Sequence, residues 1–133
     1  MEKIIGIGID HVEVDRVLKA CEKERFVNRL FSEREQSLIQ QRKESAATNF
    51  AGKEAVVKCF GTGFKHISPK DVEILRNENG APYVVLNGNA KKTAESLGIS
   101  KIHISLSDTE TTAVAYAIAV GQEEKRDLDA IYC

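Results

Sequence analysis

The sequence predicts an α+β fold in which helices of the N-terminal half pack on a mainly antiparallel sheet. Three observations indicate this fold: a short apolar run at residues 3–9, helical spacing of apolar residues over about residues 12–60, and strand-like runs after Pro69. Helices and strands are segregated and do not alternate, which argues against a doubly wound fold. At 133 residues we expect one domain, residues 1–121, followed by a charged C-terminal tail, residues 122–133.

Composition excludes several classes of protein. The net charge of −1 provides no basic field for nucleic acid. No apolar run approaches the roughly 20 residues that cross a bilayer, and the N-terminal run lacks a signal-peptide pattern. The three cysteines, at positions 21, 59 and 133, are odd in number and lack metal-binding spacing. We therefore expect a reduced, cytoplasmic protein without nucleic-acid or membrane partners.

The first run predicts a buried strand over residues 3–9, in which Gly6 and Gly8 permit close approach of another backbone. We expect this strand to end at Asp10. A carboxylate at such a position can cap the following helix, form a salt bridge or bind a ligand, and capping is the usual role.

Apolar spacing then predicts three helices, at about residues 12–22, 24–31 and 33–42. Ser32 and Glu35 match a capping box that opens the third. The first helix and the segment after it carry basic residues, which favour either a solvated face or a negatively charged protein partner. These residues are Arg16, Lys19, Lys23, Arg25, Arg29 and Arg34.

The helix that ends at Gly61 is apolar on nearly every side, yet it carries Glu54 and Lys58. A helix that is apolar all round is normally buried, and buried charges need partners or a metal. The commoner arrangement is a local i,i+4 pair between Glu54 and Lys58. The alternative is a stripe that faces an anionic, metal-bearing ligand.

The second half of the chain predicts a hairpin of strands at residues 72–76 and 83–86, joined by an Asn-Gly turn. Asn89 is expected to cap a short helix, Ala90 to Leu97. Two more strands follow, at residues 101–107 and 112–120. The last is rich in small apolar residues, which suits a central strand or a subunit contact.

Five sequence blocks, in order, resemble the holo-[acyl-carrier-protein] synthase family, the short type of 4'-phosphopantetheinyl transferase. The resemblance runs almost end to end. The blocks are Gly6 to Glu13 with Arg16, Arg25 to Glu35, Phe50 to Gly63, Asn79 to Tyr83, and Ile104 to Asp108.

The resemblance implies the 4'-phosphopantetheinyl transferase-like fold and a magnesium-dependent reaction. The family transfers 4'-phosphopantetheine from coenzyme A to a serine of apo-acyl carrier protein, in support of fatty acid biosynthesis, and releases adenosine 3',5'-bisphosphate. Asp10 and Glu54 match its magnesium ligands, and Lys58 matches a residue that contacts a phosphate of coenzyme A. Magnesium prefers one or two carboxylates together with water and phosphate oxygens, which agrees with this set.

The resemblance also implies weaker roles and an assembly. Backbone groups of Gly61, Thr62 and Gly63 would approach the nucleotide phosphates. Ser107 and Thr109 would contact the adenosine bisphosphate. The family forms a homotrimer with active sites between subunits. The residues expected to face the acidic carrier protein are Arg16, Lys19 and Arg25.

One residue departs from the family pattern. Many members carry histidine where this chain has Asp108, so we assign that position no role in the site.

Two other functions compete with the transferase. One is a non-catalytic α+β adaptor that binds acidic proteins through Arg16, Lys19 and Lys23. The other is a different magnesium-dependent phosphoryl or nucleotidyl transferase.

Overall fold

The computed structural model of the chain describes residues 1–123. Its elements, in order, are β1 (Glu2–Glu13), α1 (Val14–Ala20), α2 (Glu24–Leu30), α3 (Glu33–Gln41), α4 (Ser45–Phe60), a short 3-10 helix (Pro69–Asp71), β2 (Val72–Arg76), β3 (Pro82–Leu86), α5 (Gly88–Ser96), β4 (Lys101–Asp108) and β5 (Thr112–Gln122).

All strand pairs among residues 1–123 are antiparallel, which confirms the predicted α+β class. One sheet has the order β1-β5-β4, and β2 and β3 form a separate hairpin. The strand of small residues, β5, is therefore central, which is one of the two positions predicted for it. Four alternate alanines of β5, Ala113 to Ala119, are fully buried, and α4 packs against this face of the sheet. None of the helices in residues 1–123 combines the length and the apolar composition of a membrane span.

Strand β1 lies directly on α4, and the two glycines of β1 make this possible. A Cβ atom on Gly6 would overlap the carbonyl oxygen of Cys59, and one on Gly8 would overlap that of Ala55. Only glycine tolerates such close backbone approach. The predicted role of these glycines is thus confirmed, and α4 is buried on almost every side.

The first strand is longer than predicted. It continues past Asp10 to Glu13, and α1 begins only at Val14. The expectation that Asp10 ends the strand and caps a helix was therefore wrong. The N-cap residue is Glu13, which makes no side-chain capping bond. Pairing with β5 extends to Glu13 opposite Thr112, and this contact between distant parts of the chain cannot be seen in local spacing.

Helix α3 has the predicted capping box. The Glu35 backbone N–H donates to Ser32 Oγ at 3.2 Å, and the Ser32 N–H donates to Glu35 Oε1 at 3.2 Å. Glu35 also makes a buried ion pair that the sequence did not suggest, because Lys53 Nζ lies 2.6 Å from its Oε1. Lys53 donates further to the carbonyl oxygens of Pro69 and Val72, so its ammonium has three acceptors. This pair links α3, α4 and the hairpin.

The predicted hairpin turn is present, with Gly80 at φ 84° and Asn77 Oδ1 accepting from the Asn79 N–H at 2.9 Å. The predicted cap of α5 is wrong. Helix α5 begins two residues earlier than expected, so its N-cap residue is Asn87. The Asn89 side chain instead donates to the His66 carbonyl oxygen at 3.0 Å.

The predicted boundary between domain and tail falls inside β5. Gln122, the expected first residue of the tail, is the last residue of this strand and pairs with Glu2. The rest of the predicted tail, from residue 124 onward and including the third cysteine, lies outside the described residues.

The packing of β1 on α4 predicts that Gly8→Ala destabilises the protein. The added Cβ would meet the Ala55 carbonyl oxygen and lie 3.0 Å from Lys58 Cβ, so backbone must move. We expect a loss of about 1–3 kcal/mol in the free energy of unfolding, measured by urea denaturation. Lys3→Ala, in an exposed position of the same strand, should stay within about 0.5 kcal/mol of wild type. Equal losses in both variants would contradict the close-packing argument.

Candidate active site

The three residues predicted to carry the chemistry converge where β1 crosses α4. Gly6, Gly8 and Asp10 lie on the same face of β1, because alternate residues of a strand share a face. This face is turned toward α4, where Glu54 and Lys58 are one helical turn apart. The glycines let the strand approach closely enough for the Asp10 carboxylate to meet these side chains.

Lys58 contacts β1 and not Glu54. Its Nζ donates to the Ile9 carbonyl oxygen at 2.8 Å and to Asp10 Oδ1 at 3.2 Å. Among the ion pairs of residues 1–123, none joins Glu54 to Lys58. The commoner i,i+4 alternative is therefore not formed, since the lysine finds two oxygens across the packing interface.

The carboxylates of Asp10 and Glu54 lie close enough for their negative charges to interact. Asp10 Oδ2 is buried and has no hydrogen-bond partner within residues 1–123. The pKa of Glu54 is raised, first by burial and then by the Asp10 charge, while Lys58 acts in the opposite direction. Like charges held together in this way form a site that favours a cation.

The donor set suits magnesium better than a metal held only by protein side chains. Among the described residues, no group of three or more His, Cys, Asp or Glu side chains could hold a metal ion. Magnesium needs only one or two carboxylates and takes its remaining oxygens from water and phosphate. The orphaned Oδ2 of Asp10 is an oxygen ligand of the required kind.

The loop of Gly61, Thr62 and Gly63 directly follows the end of α4 that carries Lys58. Both glycines have left-handed backbones, with φ values of 75° and 61°. Open space surrounds the position of an added Cβ at either glycine, so these residues are needed for the turn and not for close packing. The loop therefore exposes its backbone beside the candidate site.

Ser107 and Thr109 do not join this site within one chain. Asp10 pairs with Ala115, which pairs with Leu106, whereas Ser107 pairs with Val114. Adjacent positions of a strand point to opposite faces, so Ser107 lies on the other face of the sheet from Asp10. Thr109 accepts from the N–H groups at positions 111 and 112 and holds the β4–β5 turn.

Asp108 is neutralised by an arginine. Arg42 Nη2 lies 2.6 Å from Asp108 Oδ2, and Arg42 is the C-cap residue of α3. The pair connects residues 66 positions apart in the chain. The Asp108 carboxylate is thus paired with the Arg42 guanidinium, a partner that local sequence spacing could not indicate.

The predicted docking residues Arg16, Lys19 and Arg25 are all exposed, on α1 and α2. Arg16 also lines a groove of about 610 Å³ together with His11, Phe26 and Phe50. The two phenylalanine rings stack with centroids 6.3 Å apart. Sequence spacing assigned both aromatic residues to the interior, and the groove that they line was missed because α2 and α4 meet only in the folded chain.

Comparisons with known proteins agree on one family. The family model described as the 4'-phosphopantetheinyl transferase superfamily matches residues 6–120. The holo-[acyl-carrier-protein] synthase of Lachnoclostridium phytofermentans is 47% identical over 115 residues, which cover 86% of this chain and 94% of that relative.

Solved structures lead to the same result. The crystal structure of the holo-acyl-carrier-protein synthase from Plasmodium yoelii superimposes with a TM-score of 0.81 at 35% identity, and covers 92% of this chain and 99% of that one. The Helicobacter pylori holo-[acyl-carrier-protein] synthase, in complex with coenzyme A, gives a TM-score of 0.75 at 30% identity, over 85% of this chain and 98% of that one. Residues 6–120 include Asp10, Glu54 and Lys58.

The raised pKa of Glu54 predicts that Glu54→Gln stabilises the protein at neutral pH. The carboxyl titrates at higher pH in the folded state than in the unfolded state, so its ionisation costs folding free energy once the pH exceeds the ordinary range of glutamate. We expect a gain of a few tenths to about 1 kcal/mol at pH 7, after allowance for solvent screening, and no gain near pH 4.

Urea unfolding in EDTA, at one protein concentration and across this pH range, measures the effect. Glu78→Gln in the exposed hairpin turn is the control and should show no gain. A wild-type protein as stable as Glu54→Gln at every pH would contradict the electrostatic argument.

Proposed function

Because the chain belongs to the 4'-phosphopantetheinyl transferase superfamily and is similar to holo-[acyl-carrier-protein] synthases over most of its length, we propose that it transfers 4'-phosphopantetheine from coenzyme A to a serine of apo-acyl carrier protein. The observation that carries the proposal is the convergence of Asp10, Glu54 and Lys58, with one buried carboxylate oxygen left without a partner.

In the proposed reaction, the serine hydroxyl oxygen forms a new bond to the phosphorus that bears the pantetheine arm. The P–O bond to adenosine 3',5'-bisphosphate breaks, and the serine proton leaves to a base. Such phosphoryl transfer depends chiefly on positioning and on neutralisation of the charge on phosphate oxygens. Two carboxylates and one lysine carry a net negative charge. Such a site can position the phosphates and neutralise their charge only if the carboxylates hold a cation.

Asp10 and Glu54 would hold Mg²⁺, which when bound supplies Lewis-acid neutralisation of the pyrophosphate. Lys58 would bind a phosphate oxygen as a mobile point charge, because its side chain is 51% exposed and reaches from the rim of the site. Backbone N–H groups of the Gly61–Gly63 loop would bind the nucleotide phosphates beside it.

We also propose a homotrimer with shared active sites. The face of the sheet opposite α4 exposes apolar side chains, among them Ile7 at 52%, Ile9 at 57% and Tyr116 at 39%. Exposed apolar patches of this kind mark interaction sites. In such an assembly, Ser107 and Thr109 of one chain would contact the nucleotide bound at Asp10 of another. A sedimentation mass of three chains checks this assembly.

Arg16, Lys19 and Arg25 would dock the acidic carrier protein. They are exposed on α1 and α2, and the groove beside Arg16 provides apolar surface from Phe26 and Phe50. Charge attraction guides association, while the aromatic floor would receive an apolar side chain of the carrier. With such a carrier, the enzyme would act in the cytoplasm, in support of fatty acid biosynthesis.

The proposal predicts a mass gain on the carrier. Full-length protein, coenzyme A, Mg²⁺ and apo-acyl carrier protein should yield carrier with one added phosphopantetheine, detected by mass spectrometry. EDTA should stop the reaction, and excess Mg²⁺ should restore it. Glu54→Gln should lower turnover by at least about 100-fold without loss of fold, because a ligand of the charge-neutralising cation is removed. Absence of a mass gain with a carrier that a related synthase can modify would refute the transferase assignment.

The docking surface predicts a selective kinetic defect in Arg16→Glu. Charge reversal at this position should raise KM for the carrier about tenfold or more, because attraction becomes repulsion. KM for coenzyme A should change little. Lys92→Glu, which makes the same charge change at an exposed position on α5, is the control and should have near-wild-type constants. Equal increases in KM for both substrates would count against the docking role.

A further inference from the structure

We propose that Lys58 exchanges partners during substrate binding, from the Asp10 carboxylate to a phosphate of coenzyme A, and thereby makes metal and coenzyme A bind cooperatively. The inference rests on the proposed function and concerns the regulation of the same site.

Lys58 occupies part of the carboxylate that a metal would also need. The Lys58 ammonium lies 3.2 Å from Asp10 Oδ1 and 2.8 Å from the Ile9 carbonyl oxygen. It therefore takes up one oxygen of the carboxylate that a metal would use, while Oδ2 on the same carboxylate stays without a partner among residues 1–123. The lysine and a bound cation would therefore compete for the same Asp10 carboxylate.

The positive charge of Lys58 opposes the binding of a cation at Asp10. The Asp10 side chain is only 17% exposed, so a positive charge beside it is poorly screened. A divalent cation bound by Asp10 and Glu54 would be repelled by an ammonium 3.2 Å from the same carboxylate. Lys58 thus lowers the affinity of the site for a metal that arrives alone.

The Lys58 ammonium can move although the helix that carries it is fixed. The Lys58 side chain is 51% exposed and has a flexible four-carbon stem, whereas its backbone is fixed in the buried helix α4. The ammonium can move to a pyrophosphate without a change in the fold. Once it does, its charge stabilises the phosphate, and Asp10 becomes free to bind the metal. Coenzyme A then raises the affinity for metal, and by thermodynamic linkage the metal raises the affinity for coenzyme A equally.

The exchange predicts effects of opposite sign in a single variant. Lys58→Met should bind Mn²⁺, used as a probe for Mg²⁺, about threefold to tenfold more tightly than wild type when no nucleotide is present. The same variant should bind coenzyme A more weakly, by about tenfold, when the metal is present, because a phosphate contact is lost. A lysine that only binds phosphate would leave the affinity for metal alone unchanged.

Isothermal titration calorimetry and the electron paramagnetic resonance signal of free Mn²⁺ provide readouts independent of turnover. Lys58→Arg keeps the charge and should retain the weak wild-type binding of Mn²⁺ alone. Lys92→Met removes an exposed charge on α5 and should behave as wild type. Glu54→Gln removes a carboxylate and should lose Mn²⁺ binding in every condition.

The outcomes separate the two proposals. If Mn²⁺ binding depends on Glu54 but Lys58→Met binds Mn²⁺ alone no more tightly than wild type, the exchange is overturned and the metal site stands. Equal gains in Lys58→Met and Lys58→Arg would also overturn it, since the charge would then be irrelevant. If Mn²⁺ with coenzyme A does not bind wild type in a Glu54-dependent way, both the exchange and the magnesium site are overturned.

Discussion

The close contact between β1 and α4 is the constraint on which the rest of the molecule depends. Gly6 and Gly8 remove the Cβ atoms that would separate the strand from the carbonyl groups of the helix. This approach brings Asp10 from the strand to Glu54 and Lys58 of the helix, so two parts of the chain form one charged site, although Asp10 and Lys58 are 48 residues apart. A looser packing would preserve the fold class but separate the carboxylates, and a metal site needs its ligands within bonding distance.

Local sequence rules predicted the elements well where the signal itself is local. The capping box at Ser32, the glycine end of α4 and the Asn-Gly turn are each complete within a few residues, and each is present. The extent of β1 was missed because its last residues are held in the strand by pairing with β5, which lies at the other end of residues 1–123. The candidate site was likewise predicted where the signal is local and missed where distant parts of the chain meet. The helical spacing placed Glu54 and Lys58 one turn apart but favoured the wrong partner for the lysine. The sequence pattern offered a salt bridge as one role of Asp10 but favoured a helix cap, and the structure has the salt bridge, to Lys58. The Arg42–Asp108 and Glu35–Lys53 pairs join separate elements and have no signature in local spacing.

The two faces of β1 have different chemical characters. The face toward α4 carries glycine and aspartate, and the outward face carries Ile7, Ile9 and His11, a set that would suit contact with other copies of the chain. In a trimer of this kind, the metal ligands and the subunit contact would alternate along one strand. Assembly and catalysis would then be mechanically linked, because a shift of β1 at the interface would also move Asp10.

Helix α4 has little free surface of its own, because thirteen of its sixteen residues are buried between the sheet, α1, α3 and the hairpin. The basic residues that would meet the carrier lie instead on α1 and α2, which are short and exposed on their outer sides. Carrier docking and the stability of the core would therefore depend on different helices. Substitutions that retune the choice of carrier would accumulate on the exposed sides of α1 and α2 at small cost in stability, whereas most substitutions in α4 would disturb the core and the proposed chemistry together. Engineering a new carrier preference should accordingly begin with the outer helices and leave α4 intact.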